Sequence, residues 1–256
     1  MVFPRPDAVP SEGTAVPDEG PRPSEPREPR GCRTGHSPAY AGRMAVHQDG
    51  LQVGHRVLRV GLTGGIGAGK SVVASRLARL GAAIVDHDLL AREAVAPGSP
   101  GLAAVVEAFG EVRDALGQLD RRALGERVFA DPTARATLNG IVHPLVRQAA
   151  AVAEQAAVAA GHEVIVHDVP LLVETGQAGH FDVLVVVDAP ADLRVHRLVE
   201  GRGMSAEEAW ARLAAQADDE ERLEAADEVL DGSGEVAELE VQVDALWERW
   251  TAARAG

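Results

Sequence analysis

The sequence predicts an α/β fold, a parallel sheet of about five strands with flanking helices, and three observations carry that expectation. Short valine-rich runs bounded by turn residues, Glu163 to Val166 and Val183 to Val187, read as central strands buried on both faces. Stretches with apolar side chains three and four apart, such as Val72, Val73, Leu77 and Leu80, read as the helices between strands. The third is a glycine-rich run, Gly64-Gly65-Ile66-Gly67-Ala68-Gly69-Lys70-Ser71, set between the strand-like Val57 to Leu62 and the helical Ser71 to Leu80.

That run fits the phosphate-binding pattern G-x-x-x-x-G-K-[ST] at every fixed position, which makes the sheet a P-loop NTPase type. Glycines let successive backbone N–H groups point into one concavity, the following helix adds its positive end, and a lysine reaches the β- and γ-phosphates. Gly65, Ile66, Gly67, Ala68, Gly69, Lys70, Ser71 and Val72 are therefore the candidate ATP-binding residues, with the Ser71 hydroxyl left for Mg²⁺. Of 25 basic residues Lys70 is the only lysine. A chain that uses arginine everywhere else needs the compact ammonium at this one place, where a planar guanidinium does not fit.

The bulk properties narrow the classes. An apolar fraction of 46% in 256 residues is ample for a core, and a formal charge of -14 is a poor match for nucleic acid or an anionic membrane. No apolar run is long enough to span a bilayer, no secretory signal pattern opens the chain, and the single Cys32 suits a reducing compartment; together these predict a cytoplasmic protein, taken as a monomer. A GTP-driven switch would need an Asn-Lys-x-Asp motif, which a chain with its sole lysine in the P-loop lacks.

Taken in order, residues 1–56 hold nine of the 15 prolines and almost no large apolar side chains, so they are expected to be disordered. A partner-binding tail, or a physiological start at Met44 or Val57, are the alternatives. After the first helix Gly81 is a stop signal, and Ala83 to Val85 is a short buried strand running into Asp86-His87-Asp88. Ligands of open α/β sheets sit at strand C-termini, so both carboxylates are site candidates, and Asp88 also reads as the cap of a helix Leu89 to Val95. From Pro97 to Gly161 the pattern is helical: Ser99 caps a helix through Phe109, Arg121 to Phe129 is another, Asp131-Pro132 starts a third, and His143-Pro144 opens an alanine-rich one ended by Gly161. Asp168, at the end of the next strand, stands where a second acidic strand end holds Mg²⁺ through water. The strand Val183 to Val187 leads through Asp188 into a helix Asp192 to Glu200. Arg194 and Arg197 share one face of it, as a solvated stripe or as site residues, and Arg202 follows just beyond. Ser205 to Glu208 is a capping box; Asp227 to Asp231 is a last strand; a terminal amphipathic helix carries Leu239, Val243, Leu246, Trp247 and Trp250.

From Leu58 to Trp250 the chain resembles the dephospho-coenzyme A kinase family. The resemblance rests on Leu62 to Ser71, on Asp86-His87-Asp88 with Ala91-Arg92, on Asp120-Arg121-Arg122-Ala123-Leu124, on His143-Pro144-Leu145, on Val169-Pro170-Leu171-Leu172-Val173-Glu174 and on Arg212 with Gln216. It implies phosphoryl transfer from ATP, with Mg²⁺, to the ribose 3′-hydroxyl of dephospho-coenzyme A. It also implies a core of residues 57–88, 162–190 and 226–256, a helical substrate insertion 89–161 and a lid 191–225. By the same resemblance Asp88 is the base or orienting carboxylate, Lys70 and Arg197 act on the transferring phosphoryl, Arg202 approaches from the lid, and Ser71 and Asp168 serve the metal. Two positions depart from the family pattern: Asp219 stands where it has arginine, and Gly232 where it has asparagine. Another P-loop nucleoside or nucleotide kinase, or a non-catalytic ATP-binding protein, is the alternative.

Overall fold

The computed structural model describes residues 57–129, 131–173, 175–216 and 218–255. The proline-rich stretch 1–56 and Glu174 lie outside the described residues. Five strands, β1 (Leu58–Gly64), β2 (Ala83–Asp86), β3 (Val164–Asp168), β4 (Val183–Asp188) and β5 (Glu228–Asp231), form one sheet in the order β2-β3-β1-β4-β5. Every neighbouring pair is parallel, with Leu62 opposite both Asp168 of β3 and Val185 of β4. All strand C-termini therefore open at one edge, where ligands of such sheets bind.

Alternation along the strands divides the core. Val60, Leu62, Val164, Val166, Val183, Val185 and Val187 face α1 (Lys70–Leu80) and the terminal helix, packing with Val73, Leu77, Leu239, Val243, Leu246 and Trp250. Ile165 turns the other way with Val85, and Leu184 and Val186 join Leu172 and Phe181. Gly81, with φ 114°, ends α1 in a left-handed turn whose N–H returns to the helix carbonyls.

The region expected to be inserted is built from α2 (His87–Ala94), α3 (Pro100–Phe109), α4 (Arg121–Phe129) and α5 (Pro132–Ala159). It has a core of its own, Val95, Val105, Val112 and Leu124, with Leu138, Ile141 and Val142 of α5 against it. Two expectations fail here. His143-Pro144 does not open a helix: α5 starts at Pro132, capped by Asp131, and runs 28 residues through Pro144. A proline at the first helical position and one inside a helix look alike in sequence, and packing on both sides carries α5 across the lost amide. Nor does Asp88 cap α2; Asp86 does, its carboxylate accepting from Leu89 N at 2.9 Å, and Asp88 falls in the first turn.

Beyond β4 come α6 (Ala191–Arg202), α7 (Ala206–Ala214), α8 (Asp219–Ala225) and, after β5, α9 (Val236–Ala255). The capping box at Ser205 forms as expected, with Glu208 returning to the Ser205 amide. Among the described residues no helix is long and apolar enough to cross a membrane.

Candidate active site

The loop from Gly64 to Gly69 turns out of β1 and becomes the start of α1. Gly67 and Gly69, at φ 80° and 111°, take the left-handed conformations that close it. Gly69 is the helix N-cap without a side-chain cap, and the first turn holds no acidic residue. The positive end of α1 is thus presented to an anion. Ala68 N donates to Gly65 O at 3.0 Å within the loop. Val72 N donates to Gly69 O at 2.9 Å, and the Val72 side chain packs toward the core rather than the loop.

Lys70 reaches across the sheet edge to the Asp168 carboxylate at the end of β3. Burial pushes that carboxyl up, Lys70 draws it down, and the charges of Asp86 and Asp88 push it up again. Asp168 thus holds the ammonium, while Asp86 and Asp88 lie close enough for their charge to act on Asp168. Asp86 and Asp168 are register partners, whereas Asp88 stands exposed one helical step on. Ser71, on the first turn of α1, is exposed.

These donors fit Mg²⁺. Hydroxyl and carboxylate oxygens are the ligands a hard cation takes, and Mg²⁺ is held by one or two carboxylates together with substrate phosphates. Among the described residues no three His, Cys, Asp or Glu side chains are gathered to hold an ion.

Behind Asp86 and Asp168 lies a pair of histidines that the sequence did not point to. His87 Nε2 is 3.1 Å from His167 Nδ1, and His167 stacks at a tilt on Phe181. His167 Nε2 lies 3.3 Å from Glu154 Oε2 of α5, poorly aligned for a hydrogen bond. Glu154 in turn accepts from Arg59 Nε at 2.6 Å. Burial, then the neighbouring His167, lowers His87 to about 4; burial also lowers His167, against the pull of Glu154.

On the other side, helices after β4 hold the loop. Arg197 Nη1 donates to Gly67 O at 3.3 Å and its Nη2 to Gly234 O at 3.2 Å, so this arginine ties the loop to the turn after β5. Arg202 ends α6 in solvent. Arg194 overturns the solvated-stripe reading of that helix face: it is 3% exposed and donates to Asp219 Oδ2 at 2.6 Å. Asp219 also binds Arg222, and Gln216 Oε1 accepts from Ile66 N at 2.9 Å. Arg121 and Arg122 lie exposed, the latter paired with Glu126 one turn on. His143 is exposed on α5.

Gly232 is accounted for by its surroundings. A Cβ there would lie 2.0 Å from Ala68 O and 3.2 Å from Asp188 O, because the turn after β5 presses against the phosphate loop. An open groove runs beside it between α6 and that turn, lined by Leu193, His196, Arg197, Ser233, Gly234 and Glu238.

A P-loop after the central strand of a β2-β3-β1-β4-β5 sheet, with the acidic end of β3 on its lysine and an arginine helix over it, defines a P-loop kinase. The dephospho-CoA kinase family model matches residues 58–238, and the chain belongs to that family. Dephospho-CoA kinase of Streptomyces avermitilis is 54% identical over 192 residues, covering 75% of this chain and 93% of that protein. The Frankia casuarinae enzyme is 50% identical over 196 residues, 76% of this chain and 84% of that one. The Mycolicibacterium paratuberculosis relative is 55% identical over 194 residues, 75% of this chain, which spans 47% of that longer protein. Among solved structures, TT1252 from Thermus thermophilus is 34% identical with a TM-score of 0.67, over 76% of this chain and 98% of that one. The dephospho-CoA kinase of Campylobacter jejuni, at 23% identity and a TM-score of 0.58 over 76% and 98%, shares the fold.

Proposed function

We propose that this chain transfers the γ-phosphoryl group of ATP to the ribose 3′-hydroxyl of dephospho-coenzyme A, giving coenzyme A and ADP. The observation that carries this is the meeting of Lys70 with Asp168, flanked by Asp86 and Asp88, at the mouth of a loop held from the other side by Arg197. It supports the reading because phosphoryl transfer needs a proton acceptor, a cation for the phosphates and a guanidinium for the transferring group, and side chains of these three kinds flank the loop.

In this reading the backbone amides of Gly65 to Ser71 and the start of α1 hold the triphosphate, with the adenine in the groove between α6 and the Ser233-Gly234 turn. Lys70 leaves Asp168 for the β- and γ-phosphates. Ser71 and Asp168 hold Mg²⁺, which when bound neutralises charge on the phosphate oxygens. Asp88, exposed in the first turn of α2, takes the proton of the 3′-hydroxyl as the hydroxyl oxygen bonds to Pγ and the bond from Pγ to the β-phosphate oxygen breaks, the electron pair leaving with ADP. Arg197 moves from the Gly67 carbonyl to the transferring group, and Arg202 follows it from the lid. The insertion of α3, α4 and the first half of α5 covers the pantetheine arm of the acceptor. A monomeric, cytoplasmic protein belongs to the same proposal, supported for the compartment by the single cysteine.

The test is incubation with ATP and Mg²⁺ alongside dephospho-coenzyme A, adenosine, AMP and other nucleoside monophosphates, with phosphorylated product read by mass. Dephospho-coenzyme A should be the acceptor that reacts. Preference for a nucleoside monophosphate would reassign the chain to another nucleotide kinase activity.

A further inference from the structure

The phosphate-loop pattern fixes Gly64 and Gly69 and leaves four positions between them free, yet two of those four are glycine. The left-handed backbone accounts for Gly67, but Gly65 has no positive φ. What Gly65 meets is an arginine: a Cβ there would lie 1.9 Å from Arg194 Nη1 and 2.9 Å from its Cζ. A Cβ on Gly67 would lie 2.9 Å from the Arg194 carbonyl oxygen and 3.3 Å from its Cα. Arg194 therefore lies lengthwise along the loop, main chain against Gly67 and guanidinium against Gly65.

The guanidinium is held by Asp219, and its charge also reaches the half-buried Asp188 carboxylate at the end of β4. Asp219 gives one carboxylate oxygen to Arg194 and the other to Arg222, which is also 3% exposed. Arg194 Nε has no partner among the described residues. A buried guanidinium thus sits directly against the loop that receives the phosphates, in surroundings that screen it little. The aspartate that departs from the family pattern at position 219 acquires a purpose here, as the anchor of an arginine supplied by α6.

We propose that Arg194 is a positioning residue of the phosphate-binding loop that also selects the donor by its phosphate charge, Asp219 fixing it in place. This rests on the loop binding ATP, as in the function proposed above. Calorimetric titration of the full chain with ATP, ADP and AMP, without acceptor, tests it. Arg194→Gln should weaken ATP about tenfold or more, ADP less and AMP little, because the lost charge is felt in proportion to the phosphates opposite it. Arg194→Lys should recover part of the ATP affinity. Equal weakening of all three nucleotides would mark a loss of shape alone and overturn the charge role, and unchanged affinities would overturn the whole. Should Arg194→Gln fail to fold, Gly65→Ala carries the test, since it keeps every charge and drives a methyl into the guanidinium: ATP affinity should fall at least about fivefold, and an unchanged value overturns the proposal. Because no acceptor is used, a chain that binds ATP but leaves dephospho-coenzyme A unreacted would retire the proposed reaction and leave this result in force.

Discussion

Acidification should destabilise the fold through His87, and the size of the effect follows from where that ring sits. Burial at the start of α2 and the adjacent His167 take its pKa from 6.5 to about 4. The unfolded chain then binds the proton at a higher pH than the folded one. The stabilisation is complete above the unfolded value and drains away as pH falls toward the folded value. A gap of about 2.5 units sets a ceiling of about 3.4 kcal/mol. Roughly 2 kcal/mol of it is lost between about pH 7.5 and about pH 5. His167 is lowered too, so the parent chain loses more than this one ring accounts for. Urea unfolding of the ligand-free chain, followed by tryptophan fluorescence at several pH values, measures the loss directly. His87→Asn removes the titrating ring, and carboxylates that titrate in both chains cancel in the comparison. Over that interval the parent should lose about 2 kcal/mol more than the variant; equal losses would refute the reasoning.

Three further outcomes concern the reaction. Lys70→Arg should lower kcat by about 10²-fold or more with little change in Tm, since the charge stays and the compact geometry goes; near-normal turnover would refute the reading of the sole lysine. Arg197→Ala should cost kcat on the order of 10³-fold while raising the KM for ATP far less, and a loss under about fivefold in kcat would leave that arginine as a structural tie between Gly67 and Gly234. Asp88→Asn should lose about 10²-fold or more in rate, whereas Asp86→Ala should instead cost about 1 kcal/mol of stability by uncapping α2; the reverse ranking in the two assays would exchange their roles.

The sheet was legible because strands buried on both faces must be apolar, and β3 opens with Val-Ile-Val while β4 runs Val-Leu-Val-Val-Val. The P-loop was legible because backbone geometry and a phosphate impose a fixed local spacing. What could not be read locally was the partner of each polar group. Asp86 and Asp88 are two residues apart, and which of them caps α2 depends on the residue at which β2 stops, a matter of one position that pairing with β3 decides. The run through Pro144 depends on apolar contacts that the two ends of α5 make with different parts of the chain. Arg194 showed only a shared face with Arg197, while its burial comes from Gly65 and Asp219, 129 and 25 positions away in the sequence. Glycine at a position the motif leaves free was the one local sign of it.

Helix α5 acts as a ruler between the two halves of the reaction. At about 1.5 Å per residue its 28 residues extend roughly 42 Å. Its first half supplies Leu138, Ile141 and Val142 to the insertion; its second half supplies Ala150, Ala153 and Ala157 to the sheet beside β2 and β3. One added or deleted residue near its middle would turn the half packed in the insertion by about 100° relative to the sheet, so its length tolerates no drift, while the turn from Gly110 to Asp120 lies outside that gearing. Pro144 falls between the two packed halves, where the missing amide frees the Gly140 carbonyl from its helical bond. That lost hydrogen bond makes the step at Pro144 the place where the rod bends at least cost.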